Sequence, residues 1–575
     1  MDEVKLLPYG IMDFESLRRQ NRYLVDKTMY IPRMEYAGNF LFMIRPRRFG
    51  KSVFLTMLAD YYDIEKQDSF NELFAGTWIH DNPTKEKGRY QVLMLDFSQV
   101  AGSKIESLED DFNRYCSRML ISFAKKYEKY YDPDFLETVE SLYPESRVQM
   151  THIFNEAKMM GHQLYLIVDE YDNFTNDVLN EHGERVYHAL THASGFYRQI
   201  FKKFKGNFQR ILMMGVSPVT LDDLTSGYNI ALNITADTEF NMMLGFSETD
   251  VREMIWYYKS AGLITADEDE LVEDMRPWYD NYCFAKKSYG RDPSMFNCTM
   301  VLNYLNTVIK TGERPEDMLD KNVRTDYKKL KKLVELDSFG ENEHSYLRQI
   351  ISEGTITSTL ESSFPAERMF EPSNFISLLY YYGMLTITGT RGFRLKLSIP
   401  NNSVRQQYYE YILEEFQRVS TVNLQWIGDL LEGMAYRGQW REALTAIAGK
   451  YKDQSSVRSA IEGERNVQGY FTAYLGLAPV YIMAPEVELN HGYCDIFLLP
   501  EVKLYPDVEH SYIIELKYLK AAEGEDKAAK QWNEAVEQIH GYAQGAKVRL
   551  MAATTTLHCI IIQMRDYDLV RIDEV

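Results

Sequence analysis

The stretch Phe40-Leu41-Phe42-Met43-Ile44-Arg45-Pro46-Arg47-Arg48-Phe49-Gly50-Lys51-Ser52-Val53-Phe54-Leu55 sets the reading of the N-terminal part of the chain. Phe40 to Ile44 is an unbroken apolar run, the pattern of a strand buried on both faces of a parallel sheet. From Val53 the apolar residues recur at helical spacing through Leu58. Strand, basic loop and helix in that order predict a phosphate loop. Gly50 lets backbone approach closely, Lys51 reaches the outer phosphates, and Ser52 offers a hydroxyl to magnesium. Arg45, Pro46, Arg47, Arg48, Phe49, Gly50, Lys51, Ser52 and Val53 form the candidate nucleotide-binding set. Arg45 stands where such a loop usually has its first glycine.

Leu164-Tyr165-Leu166-Ile167-Val168-Asp169-Glu170-Tyr171-Asp172 is a second buried-strand run that ends in acids, and it reads as a Walker B segment. Asp169 is expected to hold the magnesium ion through water, and Glu170 to orient or deprotonate the hydrolytic water. Two further apolar strands, Val92 to Asp96 and Ile211 to Ser217, suit a parallel sheet whose ends point at the ligand. Ser217 falls where a sensor residue would meet the γ-phosphate. The expected ligands are ATP and Mg2+.

At 575 residues the chain is expected to hold several domains. Its 45% apolar and 26% charged composition is that of a soluble globular protein. Its longest apolar runs fall far short of a membrane span. The N-terminal residues lack a secretory pattern, so a cytoplasmic location and no membrane partner are expected. Five scattered cysteines without Cys-x-x-Cys argue against a disulfide framework or a zinc site. The net charge of −20 opposes indiscriminate nucleic-acid binding. Such a partner needs local basic patches, for which Arg45 to Lys51, Lys202 to Lys205 and Lys328 to Lys332 are candidates.

Near the C-terminus, Tyr493-Cys494-Asp495-Ile496-Phe497-Leu498-Leu499 and Ile513-Ile514-Glu515-Leu516-Lys517 each read as a short strand. Residues i and i+2 of a strand share a face, so Glu515 and Lys517 lie side by side, and Asp495 joins them if the strands are neighbours. Two carboxylates can hold a hard divalent cation, Mg2+ or Mn2+, while the ammonium stabilises hydroxide or phosphorane charge. Glu464 opens an amphipathic helix and is expected to face inward. Glu488 precedes Asp495 on a strand.

Between these regions, Ser247 with an acid three residues on is a good helix N-cap, and it opens a helical lid. Phe375 to Gly383 reads as a helix ending in glycine. A hairpin follows, from Met384 to Thr388, through a turn at Gly389 to Gly392, to Phe393 to Ile399. Helix then hairpin suggests a winged-helix unit, read here as a relay of nucleotide state rather than a DNA binder.

The chain resembles the AAA-ATPase-like proteins fused to a PD-(D/E)xK nuclease domain that are abundant in Bacteroidetes. Leu7-Pro8-Tyr9-Gly10-Ile11, Tyr23-Leu24-Val25-Asp26-Lys27-Thr28, Arg45 to Ser52, Val168 to Asp172, Gly215-Val216-Ser217-Pro218 and Leu224 to Asn229 carry the resemblance. It implies that Arg45 is the family's usual residue. It also implies that the nuclease core is Asp495, Glu515 and Lys517, with matching acids at Glu464 and Glu488 and a later Gln-x-x-x-Tyr met by Gln538 and Tyr542. The implied fold class is multidomain α/β. A P-loop ATPase domain spans 1–240, a helical lid and winged-helix-like region 241–400, a helical connector 401–450, and a restriction-endonuclease-like domain 451–575. The expected function is an ATPase controlling a metal-dependent nuclease that acts on DNA, with RNA left open, in phage defence or mobile-element biology. The alternative is a nucleotide-switched regulator that binds nucleic acid or protein through a non-cleaving nuclease fold. A homo-oligomer is one option, because an activating arginine can come from a neighbouring subunit or from Arg47 or Arg48 within the chain.

Overall fold

The computed structural model describes residues 4–100, 104–192, 195–219, 231–319, 346–369, 371–419, 423–453, 464–489, 492–502 and 505–575. The motif at Leu224 to Asn229 and the lysine run at 328–332 lie outside the described residues. The chain divides into two compact units, Met1–Asp320 with Thr357–Asn401, and Lys321–Ile356 with Asn402–Val575.

In the first unit, strands β1 (Phe40–Ile44), β2 (Tyr90–Asp96), β3 (Gln163–Asp169), β4 (Arg210–Gly215) and β5 (Leu232–Asn233) form a sheet in the order β2-β3-β4-β1-β5. All pairs are parallel. The continuous apolar runs follow from this, since β1, β3 and β4 are buried almost throughout. On one side the sheet packs on an aromatic core that includes Phe97, Phe112, Phe174, Tyr197 and Phe201. The carboxyl ends of β1, β3 and β4 are brought together, where open α/β sheets bind ligands. β1 leads through the basic loop into helix α1 (Lys51–Tyr62), entered from Gly50 at φ +85°.

The ends of β3 and β4 are fastened by residues just beyond Asp169. The Tyr171 hydroxyl donates to the Ser217 carbonyl at 2.7 Å, and Asp172 accepts from the Val216 and Ser217 N–H groups at 3.1 and 2.6 Å. This close approach requires glycine at 215, where a Cβ would collide with the Asp172 carboxylate and the Tyr171 ring.

The helix after Ser247 opens as its sequence predicts. Ser247 and Asp250 form a reciprocal capping box at the start of helix Glu248–Ser260. Helix α2 (Pro372–Tyr381) starts on a proline, and Gly383 follows it at φ +78°. Strands β6 (Thr386–Arg391) and β7 (Arg394–Ser398) then pair as an antiparallel hairpin. The turn lies at Gly392-Phe393, tighter than expected, because Gly389 stays in the strand beside a register shift.

The second unit contains a mixed sheet of β8 (Tyr481–Leu489), β9 (Gly492–Pro500), β10 (His510–Leu519), β11 (Thr556–Arg565) and β12 (Asp568–Glu574) in sequential order. Only the β10–β11 pair is parallel, as its crossover through helix α5 (Glu525–Ala543) demands. Tyr512 donates to the Met434 carbonyl on helix α3 (Leu424–Arg437), whereas Gln563 donates to the Ala528 carbonyl on α5. These residues differ in strand parity, so helices cover both faces of the sheet. The residues expected to form a helical connector, from Asn402 to 450, group with this unit, and Trp440 donates to Glu574 at 3.1 Å. No helix among the described residues is long and apolar enough to cross a membrane.

Gly215→Ala is expected to lower stability by about 1–3 kcal/mol through overpacking. Gly449→Ala, at an open helical position, is expected to be neutral or to stabilise by about 0.5–1 kcal/mol. Urea denaturation of both variants and the wild-type chain measures the contrast.

Candidate active sites

The phosphate loop is closed on itself. Lys51, buried at the first position of α1, donates to the Arg45 and Pro46 carbonyls at 3.1 Å each and lies 3.8 Å from Glu170. The Ser52 hydroxyl donates to Asp169 at 2.6 Å, so the two residues expected to share a magnesium ion already meet. Burial pushes the Asp169 carboxyl up to about 6, against the lowering effect of the Ser52 bond. Glu170 takes a left-handed backbone at φ +49° and donates its N–H to Asp169. Arg47 donates to Asn173 at 3.3 Å, and Val53 lies half-buried in the first turn of α1.

Two residues of the expected set prove to be braces. Arg45 is fully buried, and its guanidinium donates to the carbonyls of Ile44, Thr235 and Phe240 at 2.7–3.0 Å, with its carbon 4.4 Å from the Phe284 ring centre. The expected contact with nucleotide is therefore corrected for its side chain, which is turned into the protein interior. Phe49 is likewise buried, edge-on to Tyr282 and Phe284. Ser217 stands at the end of β4 as expected, fully buried, with its hydroxyl accepting from the Val219 N–H at 3.3 Å.

In the second unit, β9 and β10 are neighbours. Pairing of Ile496 with Ile514, continued by one residue, sets Asp495 across from Glu515. Asp495 accepts the Leu516 N–H at 2.7 Å. Glu515 is buried, and the Lys517 ammonium donates to it at 2.8 Å. Tyr542 on α5 joins them. Its phenol is pushed up to about 12 by burial first, then by the charges of Glu515, Cys494 and Asp495. Gln538, one turn earlier, is exposed, so it does not share Tyr542's buried setting. Glu464 opens helix α4 (Glu464–Leu475), and Glu488 on β8 pairs with Tyr493 on β9, but both side chains fall outside the described part of the structure. Among the described residues no group of three His, Cys, Asp or Glu side chains is arranged to hold a metal. The donor chemistry of Asp495 and Glu515, two facing carboxylates, nevertheless fits a hard divalent cation.

A family model for predicted AAA-ATPases matches residues 8–225, and a model for the PD-(D/E)XK nuclease superfamily matches residues 462–574. The chain joins an AAA-ATPase-like domain to a PD-(D/E)XK nuclease domain. The AAA-ATPase-like match contains the phosphate loop and the Walker B acids, and the nuclease match contains Glu464, Glu488, Asp495, Glu515, Lys517, Gln538 and Tyr542. A curated relative, an uncharacterised protein in the vnfD 5′ region of Azotobacter chroococcum mcd 1, is 27% identical over 281 residues. The match covers 48% of this chain and 48% of the relative, so the chain spans about half the length of the curated relative it matches. Among solved structures, the Aeropyrum pernix ORC1 protein in complex with DNA matches over 72% of this chain and 95% of its own, at 12% identity and a TM-score of 0.24.

Three residues of the AAA-ATPase-like and nuclease sites carried no role in the sequence reading. Asp172 clamps the two strand ends, a role its place at the end of the Walker B segment did not reveal. Tyr382 lies beside Ser217. Gln468, buried on α4, donates to the Asp495 carbonyl at 3.2 Å.

Burial raises the Asp172 carboxyl from 3.8 to about 6. Folding therefore takes up a proton between those values, and stability from this group falls as pH rises from about 4 to about 6, then levels off. Asp172→Asn removes the titration. The wild-type chain is expected to lose on the order of 1–3 kcal/mol relative to the variant across that window, read from denaturation midpoints. Parallel pH curves for the two proteins would contradict the assignment.

Proposed function

We propose that the chain is an ATP-controlled nuclease: the AAA-ATPase-like domain binds and hydrolyses ATP, and its state governs phosphodiester hydrolysis of DNA at Asp495, Glu515 and Lys517. The observation that carries this reading is the convergence of Asp495, Glu515, Lys517 and Tyr542 at the point where β9 and β10 part. The carboxylates of Asp495 and Glu515 would hold a magnesium or manganese ion, whose chemistry is to lower the pKa of bound water and neutralise phosphate charge. Lys517, released from Glu515, reaches the scissile phosphate or the attacking water and offsets developing negative charge. Tyr542 stays protonated at neutral pH and donates a hydrogen bond.

In the nucleotide site, Lys51 exchanges its two backbone carbonyls for phosphate oxygens. Ser52 and Asp169 would hold the magnesium ion, and Glu170 orients the water. Arg47 and Arg48 are the candidates for an arginine acting within the chain; supply from a second copy would make assembly part of the mechanism. We place the protein in the cytoplasm, with a role in phage defence or mobile-element biology.

Glu515→Ala and Lys517→Ala are each expected to lower metal-dependent cleavage of linear or plasmid DNA by about two to three orders of magnitude while the fold is retained. Lys51→Ala is expected to abolish ATP binding and to uncouple cleavage from ATP. Wild-type cutting by the Glu515 and Lys517 variants would sink the nuclease assignment. Retained DNA binding with no metal binding and no cutting by the wild-type chain would favour the non-cleaving regulator.

A further inference from the structure

The β6–β7 hairpin, expected to relay nucleotide state, also carries a surface of its own. From Pro372 to Tyr409 the chain contains no Asp or Glu, although acids outnumber Lys and Arg 84 to 64 overall. Arg391, Arg394 and Lys396 all fall on the hairpin within that stretch. Leu395 and Leu397 are buried while Arg394 and Lys396 are exposed, so strand alternation sorts these two cations onto the outer face. Arg391 is directly opposite Arg394 across the strands and shares that face. The cross-strand partner of Lys396 is Gly389, which has no side chain to cover it.

This arrangement is unfavourable in isolation, because like charges set directly opposite each other on a sheet repel. Among the described residues none of the three cations makes an ion pair. The Arg394 guanidinium instead lies with its carbon 5.6 Å from the Phe393 ring centre. Phe393 occupies the turn itself and is 77% exposed. Gly392, at φ +64°, supplies the positive φ that the first turn position requires, and the second position makes no demand for an aromatic residue.

We propose that the outer face of this hairpin docks on DNA, with Arg391, Arg394 and Lys396 taking backbone phosphates and Phe393 pressed against a sugar or base edge at the tip. A phosphate backbone neutralises all three cations at once and removes the repulsion between the two arginines. The ring at the tip adds contact that is indifferent to sequence. Contacts of this kind fix position on DNA rather than select a site. The inference rests on the hairpin and not on the nuclease reading, so it applies equally to a chain that binds without cutting.

Binding of the full-length chain to a fluorescently labelled DNA duplex, measured by anisotropy in EDTA, separates docking from metal-dependent cutting. Replacing Arg391, Arg394 and Lys396 together by Ala is expected to weaken binding by about tenfold or more. The slope of log K against log salt is expected to become shallower by about two to three. Phe393→Ala is expected to weaken binding about tenfold with the slope unchanged. Arg391→Glu sets opposite charges across the strands, so it is expected to keep or raise the melting temperature while weakening binding, a separation that a structural role alone would not produce. Wild-type affinity and salt slope in the triple variant overturn this inference alone. A wild-type chain that binds no DNA overturns it together with the choice of DNA as substrate. Binding of the wild-type chain to vesicles of anionic phospholipid but not to DNA, lost in the triple variant, would assign the face to a membrane surface and overturn it as well.

Discussion

Arg45 buries a cation directly beneath the phosphate loop, and the form of the N-terminal site follows from how that charge is solvated. An unsatisfied buried guanidinium would be prohibitively costly. Here three carbonyls and the Phe284 ring surround it. Desolvation lowers it to about 10, so it remains charged at neutral pH. The carbonyls come from the end of β1, from the segment after β5 and from the approach to the lid, so one side chain joins all three. On the proposed nucleotide-binding reading, the charge beneath this loop lowers the cost of bringing phosphate to buried backbone. The same bracing explains why Phe49 and Pro46 are buried although they belong to a binding loop.

The nuclease-superfamily site is organised by the ending of a ladder instead. Pairing between β9 and β10 runs from Leu498 opposite Tyr512 to Ile496 opposite Ile514. At the next step the Asp495 carboxylate, rather than a strand carbonyl, takes the Leu516 N–H. That substitution keeps the amide satisfied while the strands part. Glu515 and Lys517 then share one face at the opening, toward the side covered by α5, from which Tyr542 closes the group.

Much of this could be read from residue order. Parallel interior strands are apolar on both faces, so β1 and β3 stood out as unbroken runs, and the acids after β3 could only lie at its end. The Ser247 and Asp250 box is local by nature, and so is the Glu515 and Lys517 pair. What could not be read depends on residues far apart in the chain. Nothing near Arg45 announces that Thr235 and Phe240 will solvate it, and nothing near Tyr382 announces Ser217. Gln538 and Tyr542 have the right helical spacing, but how deep each lies depends on how α5 is rolled against β10 and β11, which periodicity resolves only coarsely. Residues 401–450 read as helices with no visible partner, because Met434 and Trp440 meet theirs at Tyr512 and Glu574.

Both sites hold a lysine against acceptors of their own chain, and the two acceptors differ in a way that orders events. Lys51 is hydrogen-bonded to two neutral carbonyls, with Glu170 more distant at 3.8 Å, and on the proposed nucleotide-binding reading a phosphate carrying full negative charge outcompetes those carbonyls. Lys517 is held by a buried carboxylate. Moving its ammonium to a phosphodiester would leave Glu515 as an uncompensated buried anion, a loss of several kcal/mol. The transfer becomes favourable only when another positive charge replaces the ammonium at Glu515. On the proposed nuclease reading, cation binding and engagement of the phosphodiester by Lys517 are thermodynamically linked, each strengthening the other.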